Sequence, residues 1–367
     1  MIKRKYLFAA LAALALAAPA AKAEFYWLVS GLGGNAYQRS DADGVNGKGS
    51  WMVLTNDVEG VEYNPIKIYD IRRTVANGTT LAIYSDARSI LPYEGCPNGG
   101  ADIDLTLPIR DANGDEYTLV ELGNQCFEDC NYVGSVKFPA TMEKIGTFAF
   151  RRAKYMKSAE FPADTSAITT LGAQIFDSCT SLEGYFVWPS QIKEVGNHTF
   201  IYTKIQGFYG PAVTNVGNSA FNSCTSLTAL EFGASVEFGP AVFQNTKKTT
   251  GVGYNVLFHD APPVIDSNNY LIGGSNGVLD WWGNGTFTAN ATVYVPFNAA
   301  KNGPTENWTT FKTAFEAAVA ENKITWPSDN GDGTWTDGSI YVKTPNNTVR
   351  LRFWDPDADN AAALLAY

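Results

Sequence analysis

Histidine is scarce in this 367-residue chain, which holds only two, and charged residues make up 17% of it. A histidine-based zinc or nucleophile site needs several ligands, or a base beside a nucleophile. His198 occupies a repeat position that Ser219 fills elsewhere, and His259 has no Cys or His partner at metal-ligand spacing. The sequence therefore predicts no metal site, no cofactor and no catalytic residues, and we expect a protein that is not an enzyme.

Two short motifs resemble ligand loops but lack a defining part. The glycine-rich stretch 31–34 is not followed by a helix at the spacing of a phosphate cradle, so it predicts a turn between strands. Asp355, Asp357 and Asp359 alternate as in a calcium loop, but Asn360 replaces the sixth-position glycine and no glutamate stands at the twelfth. Calcium there stays open as the weaker alternative.

Long apolar runs are missing after the N-terminus. A basic head (Lys3, Arg4, Lys5), an apolar run to Ala18 and small residues around Ala23 predict a secretory signal peptide over residues 1–23. A membrane anchor is the alternative, but the run is shorter than the roughly 20 residues that span a bilayer. We therefore expect an exported protein with no membrane span, located at the cell surface or outside the cell, with the periplasm as the open alternative.

A basic surface is missing too. Without residues 1–23 the chain has 23 Lys and Arg against 37 Asp and Glu, a net charge of about −14. Such a surface repels phosphate backbones and anionic lipids, so a nucleic-acid partner is not expected.

Cysteines number five, so at least one lacks an intramolecular disulfide partner. Cys130, Cys179 and Cys224 recur at one place in a repeated motif, which favours buried packing over cross-linking. A disulfide between Cys96 and Cys126 stays open.

What the chain does have is a repeat. An apolar residue, a glycine and, four positions later, a phenylalanine recur six times, with successive glycines 23, 26, 24, 21 and 22 residues apart. The phenylalanines are Phe127, Phe150, Phe176, Phe200, Phe221 and Phe243. This period is typical of leucine-rich repeats. Stacked coils of this kind bury their apolar stripes in one continuous core, so we expect the phenylalanines to form a ladder. We expect each glycine to mark a tight turn with positive φ.

Each repeat continues with a small residue, an apolar triplet and often a proline. We assign the triplets as Val133, Val136, Phe138; Met156, Ala159, Phe161; Leu182, Tyr185, Val187; and Leu227, Leu230, Phe232, with Ile205, Phe208 and Gly210 in the shorter fourth unit. These units resemble the BspA-type leucine-rich repeats of surface and secreted proteins of Bacteroides-like bacteria. "VGNSAFNSCTSLTALEF" and "LGAQIFDSCTSLEGYFV" match that pattern nearly position for position.

The predicted fold class is an α/β repeat, a BspA-type leucine-rich-repeat solenoid of about six repeats. We divide the chain into a signal peptide (1–23), a β-rich N-terminal module (24–101), the solenoid with its caps (102–326) and a β-rich tail (327–367). Residues 104–123 predict a hairpin about Asn113-Gly114 that leads into the array. Trp308, Phe311, Phe315 and Val319 predict a capping helix from about Glu306 to Glu321.

The repeat also predicts a ligand-binding surface. Side chains alternate across a strand, so the residue between the last two core positions of each triplet points outward. These residues are Lys137, Glu160, Phe186, Tyr209 and Glu231, beside a row of small residues, Ser135, Ser158, Gly184, Gly207 and Ala229. We expect Phe186 and Tyr209 to be adjacent exposed aromatic anchors.

The hypothesis is a non-enzymatic interaction or adhesion protein that binds a protein ligand on this strand face. The family resemblance implies a host extracellular-matrix protein or another bacterial surface as partner. A glycan-binding surface protein and a structural surface-layer spacer are the alternatives.

Overall fold

The computed structural model describes residues 24–30, 50–56, 64–73, 79–84, 90–233, 236–246, 255–259, 292–298, 303–304, 312–313, 323–325, 328–332, 335–336, 338–341 and 348–354. The predicted signal peptide, the glycine-rich stretch 31–34 and the aspartates at 355, 357 and 359 lie outside these residues.

Strands dominate the described chain. The first part holds β1 (Phe25–Ser30), β2 (Trp51–Asn56), β3 (Lys67–Tyr69), β4 (Ile71–Arg73), β5 (Thr80–Ile83), β6 (Ile90–Leu91), β7 (Ala101–Asp104), β8 (Ile109–Arg110) and β9 (Glu116–Leu122). The repeats hold β10 (Val133–Lys137), β11 (Lys144–Ile145), β12 (Ser158–Glu160), β13 (Thr170–Leu171), β14 (Glu183–Val187), β15 (Glu194–Val195), β16 (Lys204–Gly210), β17 (Asn215–Val216), β18 (Ala229–Phe232) and β19 (Glu237–Phe238). The last part holds β20 (Asn255–Phe258), β21 (Thr292–Asn298), β22 (Gly303–Pro304), β23 (Lys323–Thr325), β24 (Ser328–Asp329), β25 (Trp335–Thr336), β26 (Gly338–Tyr341) and β27 (Thr348–Trp354).

Each coil contributes strands to two sides of the solenoid. A two-residue strand comes directly before the glycine, as in β11, β13, β15, β17 and β19, and a longer strand carries the apolar triplet, as in β10, β12, β14, β16 and β18. The longer strands lie in two sheets, β12-β10-β7 and β14-β16-β18-β20-β21-β27-β26-β23. Their pairing is parallel from β14 to β27 and within the first sheet, whereas β26 pairs antiparallel with β27 and with β23. We call the outer surface of these two sheets the strand face. No ladder joins β12 to β14, so the strand face has two parts.

The phenylalanine ladder is confirmed. The six rings are buried, and successive ring centroids lie 5.2, 5.9, 5.6, 5.5 and 5.8 Å apart in stacked geometry. One core cluster runs from Trp27 to Phe258. The array is therefore a solenoid whose coils share a continuous apolar interior.

The expected role of the repeat glycines was wrong. None of the glycines at 123, 146, 172, 196, 217 and 239 is among the positive-φ glycines of the described chain. A Cβ on Gly146 would lie 2.5 Å from the Asn124 nitrogen, and one on Gly217 would lie 2.5 Å from Asn197 Oδ1, both in the preceding coil. Glycine is required because neighbouring coils approach too closely for a side chain.

Non-glycine residues make the turns instead. In the six repeats, the positive-φ positions are Gln125 and Asp129, Phe148 and Arg152, Gln174 and Ser178, His198 and Tyr202, Ser219 and Ser223, and Ala241 and Asn245. Such conformations are uncommon outside glycine. Inter-coil hydrogen bonds hold them, since the amides of Gln125 and Asp129 donate to carbonyls of the next coil at 2.9 and 2.8 Å.

The α/β part of the predicted fold class is not supported. Apart from Lys312 and Thr313, which are helical, the described residues form strands, turns and irregular segments. The remaining residues of the predicted capping helix lie outside the described ranges. Within those ranges no helix has the length and apolar character that crossing a membrane requires.

The flanking strands continue the solenoid. The predicted hairpin is confirmed, with β8 antiparallel to β9. One sheet runs β13-β11-β9-β8-β1-β2-β3-β6, which joins the strands before residue 101 to those of the repeats. At the other end β27 pairs in parallel with β21. The division into four segments stays a prediction.

Candidate functional site

The strand face shows the predicted outward row in all but one coil. Lys137 pairs with Glu160, and Tyr209 with Glu231, so these side chains lie side by side on adjacent strands. Lys137 and Glu160 are exposed, and Tyr209 and Glu231 are half-buried. The orientation of these four residues is confirmed, whereas their role in binding stays a prediction.

Phe186 is the exception, and its predicted orientation was wrong. Its side chain is 4% exposed and packs against Phe176 and Phe200, with ring centroids 5.7 and 5.2 Å away. The third coil has one more residue between its first and second core positions, Leu182 and Phe186, than the other coils have. Gly184 adopts φ +97°, and the register with β16 shifts next to it. A one-residue slip turns every later side chain to the opposite face.

The same slip brings two large side chains to the surface. Tyr185 and Val187, which were assigned to the core, are 40% and 54% exposed. Val187 pairs with Tyr209, so it takes the place in the outward row that was predicted for Phe186. Tyr185, Val187 and Tyr209 form a contiguous cluster that we call the aromatic patch.

Gly207 positions Tyr185 on this patch. A Cβ at Gly207 would overlap the Tyr185 ring, so the absent side chain leaves room for the phenol to lie across β16. From there the Tyr185 hydroxyl donates to Glu231 Oε2 at 3.2 Å. Because Glu231 lies on β18, this bond crosses a full strand and fixes the ring.

His259 borders the aromatic patch. Its Nε2 lies 2.6 Å from Glu231 Oε1, and its ring lies 4.9 Å from Trp354 and 6.0 Å from Tyr209. Trp354 donates its indole hydrogen to the Phe258 carbonyl at 2.7 Å, which ties β27 to the end of the array. Among the described residues no group of three or more His, Cys, Asp and Glu side chains is placed to hold a metal ion.

A groove lies on the other part of the strand face, over β7, β10 and β12. Its volume is about 620 Å³. Its lining consists of Gly99, Gly100, Asp102, Ile103, Asp104, Gly134, Ser135, Lys137, Lys157 and Ser158. We call it the strand-face groove.

Comparison with known proteins identifies the repeats. The family model of the BspA type leucine rich repeat region matches residues 117–250 in six copies. These residues are a BspA-type leucine-rich repeat region. Repeats of this family serve protein interaction in general, and proteins built on them are typically binding scaffolds. No curated protein matches the chain.

Three solved structures are similar to parts of the chain. The T. pallidum leucine rich repeat protein is 21% identical over 50% of this chain and 88% of its own, with a TM-score of 0.35. A leucine-rich repeat protein from Bacteroides capillosus is 17% identical over 54% and 96%, with a TM-score of 0.23. A leucine rich cell surface protein from Faecalibacterium prausnitzii is 16% identical over 65% and 72%, with a TM-score of 0.27.

The cysteines of the BspA-type repeats are buried thiols, as predicted. Cys179 Sγ donates to the Phe150 carbonyl at 3.0 Å and Cys224 Sγ to that of Phe200 at 2.9 Å, each in the preceding coil. Burial raises the pKa of the Cys130 and Cys224 thiols to about 12. Cys96 and Cys126 are both free thiols, so the alternative of a disulfide between them is not realised.

Sequence reasoning missed three charged residues of the groove and two residues of the patch. Asp102 and Asp104 lie on β7, which pairs with β10 and acts as an additional rung before the first BspA-type repeat. The alternation in "ADIDL" is the signal for that rung. The signal for Tyr185 and Val187 is Trp188, a large apolar residue one position later than the triplet pattern expects. Lys157 precedes its triplet strand and had no signal.

Proposed function

We propose that this protein is an exported, non-enzymatic interaction protein of the bacterial surface that binds a protein ligand on its strand face. The predicted signal peptide supports export. The BspA-type repeats support the interaction role in general. The partners proposed are a host extracellular-matrix protein or the surface of another bacterium.

The observation that carries the proposal is the aromatic patch. Two exposed large apolar side chains, Tyr185 and Val187, lie together there beside Tyr209. Interfaces concentrate their binding energy in a few such anchors, with tyrosine among the preferred types. The Tyr185 ring is already held over Gly207 and bonded to Glu231, so little side-chain freedom is lost when a ligand packs on it.

Charged side chains surround the patch and extend the proposed surface. Glu183 and Lys204 are exposed at the start of β14 and β16, and Lys137 and Glu160 continue the outward row on the other sheet. Such rim charges set the approach rate and orientation of a partner more than its affinity. The Phe186 side chain lies on the inner side of β14 and belongs to the core that supports this strand.

Binding to immobilised extracellular-matrix proteins and to intact bacterial cells tests the proposal. In the double variant Tyr185→Ala with Val187→Ala we expect binding to a positive matrix protein to weaken about tenfold or more, since truncating a hot-spot residue costs about 2 kcal/mol or more. The matched control is Tyr202→Ala, which removes a tyrosine that is at least as exposed as Tyr185 from a turn on another side of the coil.

A second variant, Gly207→Ala, keeps all three side chains of the aromatic patch. Gly207→Ala displaces the Tyr185 ring, so it should weaken binding while the ring itself remains. Equal affinity of the double variant and the wild type, with circular dichroism unchanged, would refute binding at the patch.

A further inference from the structure

The strand-face groove is a second site, independent of the aromatic patch. It lies on the sheet β12-β10-β7, whereas the patch lies on the sheet that begins at β14. Its volume of about 620 Å³ falls within the range of small-molecule sites, roughly 300 to 1,000 Å³. It is therefore large enough for a ligand of a few sugar units.

Glycines shape the wall of the groove. A Cβ on Gly134 would collide with the Gly99 carbonyl oxygen, and Gly99 has φ +70°. The Gly99 amide donates to the Asn131 carbonyl at 2.8 Å, and the Ala101 amide donates to the Tyr132 carbonyl at 2.9 Å. The segment before β7 is thus pinned against the first repeat, and the groove is formed before any ligand arrives.

The charges in the groove balance. Asp102 and Asp104 supply two carboxylates, and Lys137 and Lys157 supply two ammonium groups. Ser135 donates to Asp102 Oδ1 at 2.6 Å, and Lys137 Nζ lies 4.0 Å from Glu160 Oε2. Lys157 forms no ion pair with another described residue. The carboxylates would repel an anionic ligand, and the ammonium groups would repel a cationic one. The lining therefore does not favour a ligand of either charge.

A ligand rich in hydroxyl groups fits this lining. A hydroxyl both donates and accepts, so one hydroxyl satisfies a carboxylate and a neighbouring hydroxyl satisfies an ammonium group. Hydrogen bonds to charged groups are the stronger kind. Tyr155 lies next to Gly99, which is part of the groove lining, and its side chain is 43% exposed, so it offers apolar surface close to the groove.

We propose that the strand-face groove binds a neutral oligosaccharide. A peptide is the less suitable occupant, because extended peptides gain specificity from pockets for their side chains, and the only large apolar lining residue, Ile103, is itself buried.

Titration calorimetry on the full chain tests this, with chitotriose, maltotriose and lacto-N-tetraose as neutral probes, a heparin hexasaccharide as anionic probe and a glycine-serine hexapeptide as peptide probe. The test variant is Asp102→Asn with Lys157→Gln, which keeps the net charge. The control, Asp115→Asn with Lys154→Gln, makes the same changes at exposed residues outside the groove lining.

We expect at least one neutral glycan to bind, with about tenfold or greater loss in the test variant, because two charge-assisted hydrogen bonds are weakened. The control variant and the variant Tyr185→Ala with Val187→Ala should bind that glycan as the wild type does. The proposal fails if no neutral glycan binds, if the heparin or peptide probe binds instead, or if the control loses as much affinity. Failure of the aromatic patch in the protein-binding assay would leave this result unaffected.

Discussion

Phe200 is the side chain whose removal tests the solenoid core most directly. Its ring is fully buried in the middle of the ladder, between Phe176 at 5.6 Å and Phe221 at 5.5 Å. Three more rings surround it, those of Phe186, Trp188 and Phe208, at 5.2, 5.7 and 5.9 Å. Phe200→Ala would open a cavity that rigid coils on both sides cannot close.

The expected loss of stability follows from this packing. A buried Phe→Ala change costs about 3–5 kcal/mol, with the higher values where the site cannot collapse. Aromatic pairs add about 0.5–1.5 kcal/mol each beyond area burial, and Phe200 makes five of them. We therefore expect a loss near the top of the range, about 5 kcal/mol. Phe243→Ala, at the end of the ladder, should cost less, about 3 kcal/mol.

Urea unfolding, followed by far-ultraviolet circular dichroism and tryptophan fluorescence, measures both losses. The two probes are compared because stacked repeats can unfold in more than one step. Tyr202→Ala serves as the surface control, with an expected change within about 0.5 kcal/mol. If Phe200→Ala cost less than about 1 kcal/mol, or no more than Phe243→Ala, the ladder would not be a shared core and the reasoning would be refuted.

Three further predictions concern the packing between coils and the cysteine thiols. Gly217→Ala should destabilise by about 1–3 kcal/mol in the same urea assay, because the added Cβ would lie 2.7 Å from the backbone nitrogen of Asn197; a neutral result would contradict the close approach. Iodoacetamide at pH 8 should modify Cys96 alone in the folded chain. Stability should fall as pH rises from about 8.5 toward 12, because an unfolded Cys224 loses its proton near pH 8.5 and the folded thiol has a pKa of about 12; the check is a shallower fall in Cys224→Ala than in the wild type, since buried Cys130 contributes in both.

The sequence predicts the repeats well because periodic burial leaves a periodic pattern. The six phenylalanines and the triplet Leu227, Leu230, Phe232 are buried as expected. The predictions were wrong where an additional residue interrupts the repeat period. One additional residue in the third coil changed which side of β14 is exposed. Residue propensities for strand or turn do not indicate such an insertion. The expectation for the repeat glycines was wrong for another reason. A positive φ and a close approach of two backbones both require glycine, and only the distance to the preceding coil distinguishes the two cases.

The additional residue in the third coil also explains why the strand face has two chemistries. Without it, Phe186 would stand outward in an otherwise unbroken row between Glu160 and Tyr209. With it, Tyr185 and Val187 come to the surface. The sheet that carries them is also separate from the groove's sheet, since no ladder joins β12 to β14. The charge-balanced groove then lies on one sheet and the aromatic patch on the other. Because the aromatic patch and the groove share no residue, we expect substitutions in the patch to leave the groove intact. A ligand that loses affinity through both sets of variants would have to contact both sheets at once.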